Sequence, residues 1–418
     1  MFQNIKLSFI NKAAIRSGFL ARKDGKIEPA GFLISFMKLI TKGTFSYAAW
    51  ARELAVQIGN SITKQAVEDR MNPKTESFVK SIFQELFKRE IQTDSSKRNF
   101  SKRFRNVYCE DSTHINLPEE LSSYFPGNVS RGRQKAVAKI HTLYNLTSDR
   151  FSMLNIHSFT KNDQSLASSS LQYLKQGDLL LRDLGFLVLS CLKTLNDNGV
   201  FFISRKTFSI CIYEENGNKL NLLKELKKKG RIDREVLVGN NRQKMRLIVL
   251  SVPPDHAAER RRKAKKDRDR RLNHSKEYYK LLGYTVLLTN VSKEQCAAAD
   301  ILKFYGLRWK IEMIFKSWKS VFSFQKAMPS KCKNIYRIHT MIYLLLIYVL
   351  MFQRLVREFS ARQIINISPL KLAAFLKQHF EFILLSDQFN EELVEKMSLH
   401  EVRKDRETMA QKRYALAA

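Results

Sequence analysis

One stretch, residues 304–319, constrains the fold of this chain more than any other segment. Its apolar residues recur at helical spacing and would form one buried face, made of Phe304, Leu307, Ile311, Ile314, Phe315 and Trp318. At about 100° per residue, a second stripe roughly 80° wide is polar and contains Tyr305, Arg308, Glu312, Lys316 and Lys319. The stretch therefore predicts one helix that packs into a core and presents a single carboxylate among cations at its edge.

Two interpretations of this polar stripe are open from spacing alone. In the first, the helix is solvated, and Arg308 and Lys316 each pair with Glu312 four residues away, for ~0.2–0.5 kcal/mol per pair. In the second, the stripe belongs to a functional site. Trp309 lies one residue outside the stripe, where it would stack on a base or simply pack as a half-exposed aromatic.

The charge balance indicates the type of partner. The chain has 418 residues, with 73 Lys and Arg against 40 Asp and Glu, a formal net charge of +33 and a pI near 10.0. Such a surface attracts polyanions, above all nucleic acid. Hydrophobic residues make up 44% of the chain, enough for a large core, and the length predicts two to four structural units.

A membrane protein is not indicated. The longest apolar run, Met341 to Phe352, has about a dozen residues where a membrane span needs roughly 20. The N-terminus has no signal-peptide pattern, so we expect a cytoplasmic protein. The five cysteines are far apart and include no CxxC pair, which predicts small buried side chains rather than disulfides or a zinc site.

Residues 1–95 have helical patterns and few strand signals. Apolar periodicity predicts helices over 31–39 and 46–58, with Ser46 as the N-cap of the second. A turn at 59–61 leads into a further helix over 62–71, and this pair suggests a helix-turn-helix. Its second helix would offer Lys64, Gln65 and Arg70 to a DNA groove. A helical bundle without DNA contact gives the same pattern.

After a polar break at 95–99 the pattern changes to strands. Residues 106–111, 136–144 and 151–159 alternate as in a meander, and 178–186 reads as a short apolar strand that ends in an acid and a glycine. Asp111 and Asp183 are expected at the ends of two neighbouring strands.

Residues 191–298 are also rich in strand patterns, at 200–204, 207–213, 235–239 and 244–252. Nine of the twelve positions from 260 to 271 are Lys or Arg, beginning with Arg260, Arg261, Arg262 and Lys263. This segment is either a DNA-phosphate contact or a solvated charge run. A buried strand at 284–290 returns the chain to the core, and long apolar helices are predicted over 335–359 and 370–385, followed by a charged helical tail over 391–413.

Three motifs carry a resemblance to a known family. The stripe has the order Tyr, two residues, Arg, three residues, Glu, six residues, Lys, at Tyr305, Arg308, Glu312 and Lys319. This order resembles the YREK signature of the insertion-sequence-four family of bacterial DDE transposases. Asp111-Ser112-Thr113 resembles the family's Asp-Ser-Thr box, and Asp183, Gly185 and Phe186 match its Asp-x-Gly-Phe/Tyr box. The motifs follow one another in the expected order.

The resemblance implies an α+β or α/β fold, with a ribonuclease-H-like catalytic core, a β-rich insertion and flanking helical regions. The expected units are a helical DNA-binding domain over 1–95, a core over 96–190 and 299–360, an insertion over 191–298, and a helical C-terminal region over 361–418. Asp111, Asp183 and Glu312 are the expected catalytic residues and ligands of two divalent ions, Mg²⁺ or Mn²⁺, to which hard oxygen ligands are suited. Arg308, Lys316 and Lys319 are expected to face DNA phosphates, and Tyr305 to hydrogen-bond a phosphate.

The resemblance also implies an activity and its partners. Family members nick the transposon end, form and reopen a hairpin, and join both ends to target DNA. We therefore expect the terminal inverted repeats and target DNA as partners, a homodimer in the DNA complex, and a location in the cytoplasm at the nucleoid. Two alternatives remain at this point, namely a basic DNA-binding protein without catalysis and a related nuclease that cuts without joining.

Overall fold

The computed structural model describes residues 7–20, 27–92, 103–130, 132–206, 209–266, 274–362 and 368–385. The polar break at 95–99, the end of the basic run from 267 onwards and the charged tail at 391–413 lie outside these residues. All five cysteines are free, and four of them are the small buried side chains that their spacing predicts.

The N-terminal region is helical, as predicted. Its helices are α1 (Leu7–Arg16), α2 (Pro29–Lys42), α3 (Tyr47–Ile58), α4 (Lys64–Asp69) and α5 (Pro73–Gln92). Ser46 caps α3, since its hydroxyl accepts the Ala49 N–H at 3.0 Å. Thr63 caps α4 in the same way through Ala66, at 3.1 Å. Helix α4 is therefore two residues shorter at its start than the pattern over 62–71 suggested.

One mixed sheet of ten strands forms the centre of the protein. The strands are β1 (Val107–Leu117), β2 (Pro126–Ser130), β3 (Arg133–Asn145), β4 (Arg150–Ser158), β5 (Leu179–Arg182), β6 (Phe201–Arg205), β7 (Ile212–Tyr213), β8 (Ile232–Val238), β9 (Gln243–Ser251) and β10 (Tyr284–Thr289). Their order is β2-β3-β1-β5-β6-β10-β9-β8-β7, and β4 pairs with β3 beside β2. The strands of the β-rich segment predicted over 191–298 thus extend the same sheet.

Pairing directions divide this sheet into two parts. Strands β1, β3 and β4 are antiparallel, whereas β1, β5 and β6 run parallel to one another. Strand β10 pairs antiparallel with β6, and β9, β8 and β7 continue in the antiparallel sense. The strand predicted over 207–213 is reduced to β7, and residues 207–208 lie outside the described part of the chain.

Strand β1 does not end at Asp111, as the alternation over 106–111 had suggested. It continues to Leu117, because β3 pairs with it from Asn145 opposite Tyr108 to Ala136 opposite Leu117. Its parallel pairing with β5 stops at Glu110 opposite Arg182. Asp111 and Asp183 are therefore each the first residue beyond this parallel pairing, which places both carboxylates at one edge of the β1–β5 contact.

The remaining helices cover the two faces of the sheet. They are α6 (Asp163–Leu166), α7 (Leu189–Asp197), α8 (Leu222–Lys229), α9 (Pro254–Lys265), α10 (Lys276–Leu281), α11 (Ala298–Gly306), α12 (Trp309–Lys316), α13 (Phe324–Ala327), α14 (Ile335–Arg362) and α15 (Pro369–Leu385). The larger core joins the N-terminal helices, α12 and α14 to one face. A second core lies under α7 and α8.

The single helix predicted over 304–319 is divided in the structure. Helix α11 ends at Gly306, and the N–H groups of Leu307 and Arg308 bond three residues back, to Phe304 and Tyr305. Helix α12 then begins at Trp309 and passes into a π-helical turn, Ser317–Val321. The prediction of one continuous α-helix is thus wrong. Hydrogen bonds to the third residue back interrupt the α-helix near its start, and a π-helical turn replaces it at its end.

Helix α14 is long and apolar enough to cross a membrane by length and composition, with a mean hydropathy of 1.8 over its most apolar window. In the protein 72% of that window is buried. The side chains Leu344, Leu345 and Ile347 are at most 1% exposed. The apolar stretch of the helix is thus longer than the run of a dozen residues in the sequence suggested, and the helix has the burial of a core helix.

A buried ion pair joins β1 to β5 directly behind the two aspartates. Arg182 Nε lies 2.5 Å from Glu110 Oε2, and both side chains are fully buried. The other carboxylate oxygen of Glu110 lies 2.9 Å from His141 Nε2. Arg182 also donates to the Ala167 carbonyl and to Ser170 Oγ. The pair fixes the register of the two strands, since a shift by one residue would leave both charges buried without partners.

We expect Glu110→Gln to lower the free energy of unfolding by about 3–5 kcal/mol, because Arg182 would keep its buried charge without a counterion. The double variant Glu110→Leu with Arg182→Met should be less destabilised than the single variant. Urea unfolding of the full-length chain measures both. Lys193→Ala is the matched control, since Lys193 pairs with Asp197 on an exposed helix face. A single variant as stable as that control would contradict this role.

Candidate active site

Asp111 and Asp183 are held by different contacts at the edge of the sheet. Asp111 Oδ1 accepts the backbone N–H of Ser112 at 2.8 Å. Asp183 follows β5 and precedes a tight turn at 184–186, and its Oδ1 accepts the Tyr305 hydroxyl at 3.2 Å. Tyr305, the first residue of the polar stripe, therefore connects α11 to the second aspartate.

Arg308 joins the first aspartate to the glutamate. Its Nη1 donates to Asp111 Oδ2 at 3.0 Å, and its Nη2 donates to Glu312. The residue is only 8% exposed, and its Nε has no partner among the described atoms. Three acids separated by 72 and 129 residues in the chain thus belong to one network of neighbouring groups. Arg308 binds Asp111 and Glu312, Tyr305 binds Asp183, and the Arg308 guanidinium lies 6.0 Å from the centre of the Tyr305 ring.

The charges in this network shift one another's protonation. Burial raises the pKa of Asp111 to about 6, against the lowering effect of Arg308, and the charges of Asp183 and Glu312 raise it further. Burial opposes the charge of Arg308, but the neighbouring acidic groups raise its pKa above the ordinary value. Burial and the nearby Asp183 also raise the pKa of the Tyr305 hydroxyl. The acids repel one another, and Arg308 relieves part of that repulsion.

Cationic side chains lie on both sides of the three acids. Arg205 at the end of β6 lies 3.8 Å from Asp183 Oδ1, and it is more than one-third exposed. On the other side, a cavity of about 200 Å³ lies along β1. It is lined by Thr113, His114, Ile115, Asn116, Trp318, Lys319, Phe324 and Gln325. Cations therefore flank the acidic centre at both ends.

The donor set is suited to a hard divalent cation, since it consists of carboxylate oxygens. Among the described residues, no three acidic, His or Cys side chains converge closely enough to hold a metal ion. Arg308 stands between Asp111 and Glu312 and takes the role of the counter-charge. The three carboxylates have the oxygen ligands that a divalent cation takes, and such a cation would relieve the repulsion between them. For this the Arg308 guanidinium must release Asp111 or Glu312.

The other residues of the polar stripe lie at the surface of the same helix segment. Trp309 is 55% exposed, and Lys316 and Lys319 are exposed. Among the described residues, Lys316 has no acidic side chain within ion-pair distance, so the second helix pair considered for the stripe does not form. Lys319 faces the cavity beside β1. Burial lowers the pKa of its ammonium, although Asp111 acts in the opposite direction.

The candidate groove-contacting residues of the N-terminal region lie on α4 and just after it. Lys64 and Gln65 are exposed, and they interact within their own helix with Glu68 at 3.6 Å and Asp69 at 2.7 Å. Arg70 is half-buried, and its Nη1 donates to the Phe19 carbonyl at 2.6 Å. The structure thus gives Arg70 an internal role in holding the helices together.

The basic segment is helical over its described part, which is α9. Arg260 Nη1 donates to the Tyr284 carbonyl at 3.0 Å, and Arg261 Nε donates to the Tyr279 carbonyl at 3.1 Å. Arg260 therefore fastens α9 to strand β10 of the sheet, and Arg261 fastens it to helix α10. Arg262 and Lys263 pair with Glu259 but remain about two-thirds exposed or more.

The residues that fix the position of the acids were missed in the sequence. Arg182 is a charge in an otherwise apolar strand, and Glu110 directly follows the apolar start of β1; a charge at such a position is a signal of ion pairing. Their separation is 72 residues, the same as that between Asp111 and Asp183, as a parallel register requires. Arg205 gave no comparable signal, because it follows an ordinary strand pattern.

Comparison with known proteins identifies the class of this chain. A family model described as the transposase DDE domain matches residues 102–350. The chain is 26% identical over 339 residues to the transposase for insertion sequence element IS231B of Bacillus thuringiensis subsp. berliner, covering 75% of this chain and 70% of the relative. It is 27% identical over 415 residues to the transposase for IS1151 of Clostridium perfringens, covering 90% and 86%.

The chain belongs to the transposase DDE domain family. The resemblance found in its motifs to DDE transposases of insertion sequences is thereby confirmed. Among solved structures, the fold is similar to a piggyBac transposase in a synaptic complex with hairpin DNA, with a TM-score of 0.45, 10% identity, and coverage of 95% of this chain and 83% of that chain.

We expect Asp111→Asn to stabilise the metal-free protein at pH 7 by about 1–3 kcal/mol. The folded-state pKa of Asp111 lies near 6, above its usual 3.8, so its protonated form is favoured in the fold. The Asp111 carboxyl makes its full contribution to the free energy of unfolding below pH 3.8, and this contribution is lost as the pH rises through 6. The gain should therefore disappear near pH 4, as measured by thermal unfolding in EDTA. Asp197→Asn, at an exposed position, serves as control, and a destabilised Asp111→Asn at pH 7 would contradict the expectation.

Proposed function

We propose that this chain is an insertion-sequence transposase that binds the ends of its element, cleaves the DNA in a metal-dependent reaction and joins the ends to target DNA. The observation that carries the proposal is the proximity of the three acids, in which Arg308 binds Asp111 and Glu312 and the neighbouring Tyr305 binds Asp183. The acids come from three distant segments, two after strands and one on a helix. Membership of the DDE transposase family supports the same conclusion.

The catalytic core proposed here is ribonuclease-H-like. It consists of the strands in the order β4-β3-β1-β5-β6, the first three antiparallel and the last three parallel. Asp111 and Asp183 follow the parallel pairing, and Glu312 approaches on α12. Strand β6 then belongs to the core, and the insertion proper comprises β7 to β9 with α8, α9 and α10.

Asp111, Asp183 and Glu312 are the proposed ligands of two Mg²⁺ or Mn²⁺ ions. Bound there, such ions supply a nucleophilic oxygen at neutral pH and neutralise charge on the attacking and leaving oxygens of a phosphodiester. Tyr305 orients Asp183 through its hydroxyl, and Arg308 holds Asp111 and Glu312. In this proposal, Arg308 keeps the acids together before the ions bind, and it faces a DNA phosphate when a carboxylate is released.

The DNA is proposed to follow the cations on either side of the acids. Lys319 and Lys316 are exposed on one side, with Trp309 beside them, and Arg205 lies on the other. The exposed side chains Arg262 and Lys263 of α9 extend this surface along the insertion. Arg260, Arg261 and Arg70 would then act through the position of their helices rather than through phosphates.

Recognition of the element's ends is assigned to residues 1–95, where α3 and α4 form the two-helix unit. Lys64 and Gln65 at the exposed start of α4 are its best candidates for contact with bases or phosphates. Cleavage through a hairpin and action as a homodimer are further parts of the proposal, and they rest on the sequence resemblance.

We expect Asp111→Asn, Asp183→Asn and Glu312→Gln each to abolish cleavage of a supercoiled plasmid that carries the element's own ends. Binding to end DNA in EDTA should stay within about threefold of wild type, because affinity comes mostly from phosphate contacts elsewhere. Gel electrophoresis of the plasmid and fluorescence anisotropy of a labelled end measure the two quantities. Asp300→Asn provides a folded control, since Asp300 pairs with the surface cations Arg103 and Lys303.

Different outcomes separate the possible activities. Nicking by all three variants at the wild-type rate would leave a DNA-binding protein whose acids are structural. Cleavage by wild type without any joined product in the target plasmid would indicate a nuclease. Near-normal nicking by one variant would remove that residue from the site.

We expect Lys319→Ala to reduce the slope of log affinity against log salt by roughly one unit in EDTA, because one phosphate contact is lost. Arg308→Ala should leave the slope unchanged in EDTA, since its guanidinium is buried between carboxylates. Anisotropy titrations at several salt concentrations measure both slopes. An unaltered slope for a folded Lys319→Ala would defeat the phosphate contact at that position.

A further inference from the structure

A short segment supports the sheet behind the acids. Helix α6 begins at Asp163, and the chain from 162 to 173 lies against β1, β3 and the turn that follows Asp183. Neighbouring strand residues point to opposite faces, so the Ser112 side chain lies on the face opposite that of Asp111. Asp163 therefore approaches the site from behind.

The Asp163 carboxylate contacts two strands. Its Oδ1 accepts the Ser112 hydroxyl at 2.8 Å and the Lys139 ammonium at 2.9 Å. The Lys139 side chain is buried and that of Asp163 is 30% exposed, so this ion pair is partly shielded from water. The carboxylate is not needed to cap α6, because the Asn162 side chain accepts the Ser165 N–H at 2.8 Å. Its contacts are thus directed at the sheet.

The same carboxylate also limits the turn after Asp183. A Cβ atom added to Gly185 would lie 3.0 Å from Asp163 Oδ2, and Gly185 does not have a positive φ. A side chain at this position would therefore crowd the Asp163 carboxylate, whereas the backbone conformation itself does not call for glycine. The next residue, Phe186, packs against Leu166 and Ala167 of the same segment.

We propose that Asp163 is a positioning residue that sets the separation of Asp111 and Asp183 for divalent-cation binding. It accepts a hydrogen bond from the residue directly after the first acid, and its carboxylate fills the space where a side chain would stand on the residue two places after the second. It does so from the far face of the sheet, without contact with the metal or the DNA. This inference rests on the proposed assignment of Asp111 and Asp183 as metal ligands.

The test is direct binding of Mn²⁺ to the full-length chain, measured by electron paramagnetic resonance in the absence of DNA. We expect Asp163→Ala to weaken Mn²⁺ binding roughly 10- to 100-fold, the range typical of residues that orient metal ligands. Asp163→Asn keeps an oxygen acceptor for Ser112 and should lose less. The Mg²⁺ concentration for half-maximal nicking should rise in parallel, with binding of end DNA in EDTA unchanged.

A double-mutant cycle separates this role from general support of the fold. Gly185→Ala should also weaken Mn²⁺ binding in the wild-type background, because the new Cβ displaces the Asp163 carboxylate. In the Asp163→Ala background it should add little, since the crowding is gone. A residue that only stabilises the fold would lower the melting temperature of both variants and leave the Mn²⁺ affinity of the folded fraction unchanged.

The outcomes distinguish this inference from the proposed function on which it rests. Asp111→Asn and Asp183→Asn should abolish Mn²⁺ binding, and retention of binding by both would overturn the metal site itself. If they lose binding while Asp163→Ala stays within twofold of wild type, only the positioning role is wrong. Equal effects of Gly185→Ala in both backgrounds would also overturn it. Should Asp163→Ala not fold, Asp163→Asn and Gly185→Ala decide the question on the same scale, with Asp197→Ala as control.

Discussion

The parallel contact between β1 and β5 depends on the buried ion pair of Glu110 and Arg182. Two charges removed from water cost several kcal/mol each unless they meet with good geometry, so only one register of the two strands is acceptable. That register places Asp111 and Asp183 beside each other, one residue further along each strand. A stability constraint on one face of the sheet thereby determines a chemical site on the other.

Arg308 reduces the repulsion between the acidic side chains at this edge of the sheet. Burial raises the pKa of Asp111, and the charges of Asp183 and Glu312 raise it further, because acids brought together at a partly buried edge repel one another. A guanidinium is always charged and binds two carboxylates at once, so Arg308 holds Asp111 and Glu312 in place in the protein alone. The site is assembled before any other cation arrives, and the cost of ordering these side chains is met during folding.

The long helix α14 connects the DNA-binding candidate to the catalytic sheet. Near its start, Arg337 donates to Tyr47 at 2.8 Å and to Glu68 at 3.2 Å. Just before α14, Asn334 donates to the Met71 carbonyl at 2.9 Å. Helices α3 and α4 are thus fastened to the same helix that packs under the sheet. DNA bound at α4 would be held at a fixed position relative to the acids.

The sequence by itself determined most of the helices and strands, the basic character and the family, because periodicity, charge and motif spacing are local properties. It also identified Asp111, Asp183 and Glu312 as candidates. Only the tertiary structure decided that β1 continues past Asp111, since that depends on pairing with β3. It likewise decided that Arg308 binds carboxylates, because the position of Asp111 relative to α12 is set by packing between segments almost 200 residues apart, which no local pattern encodes.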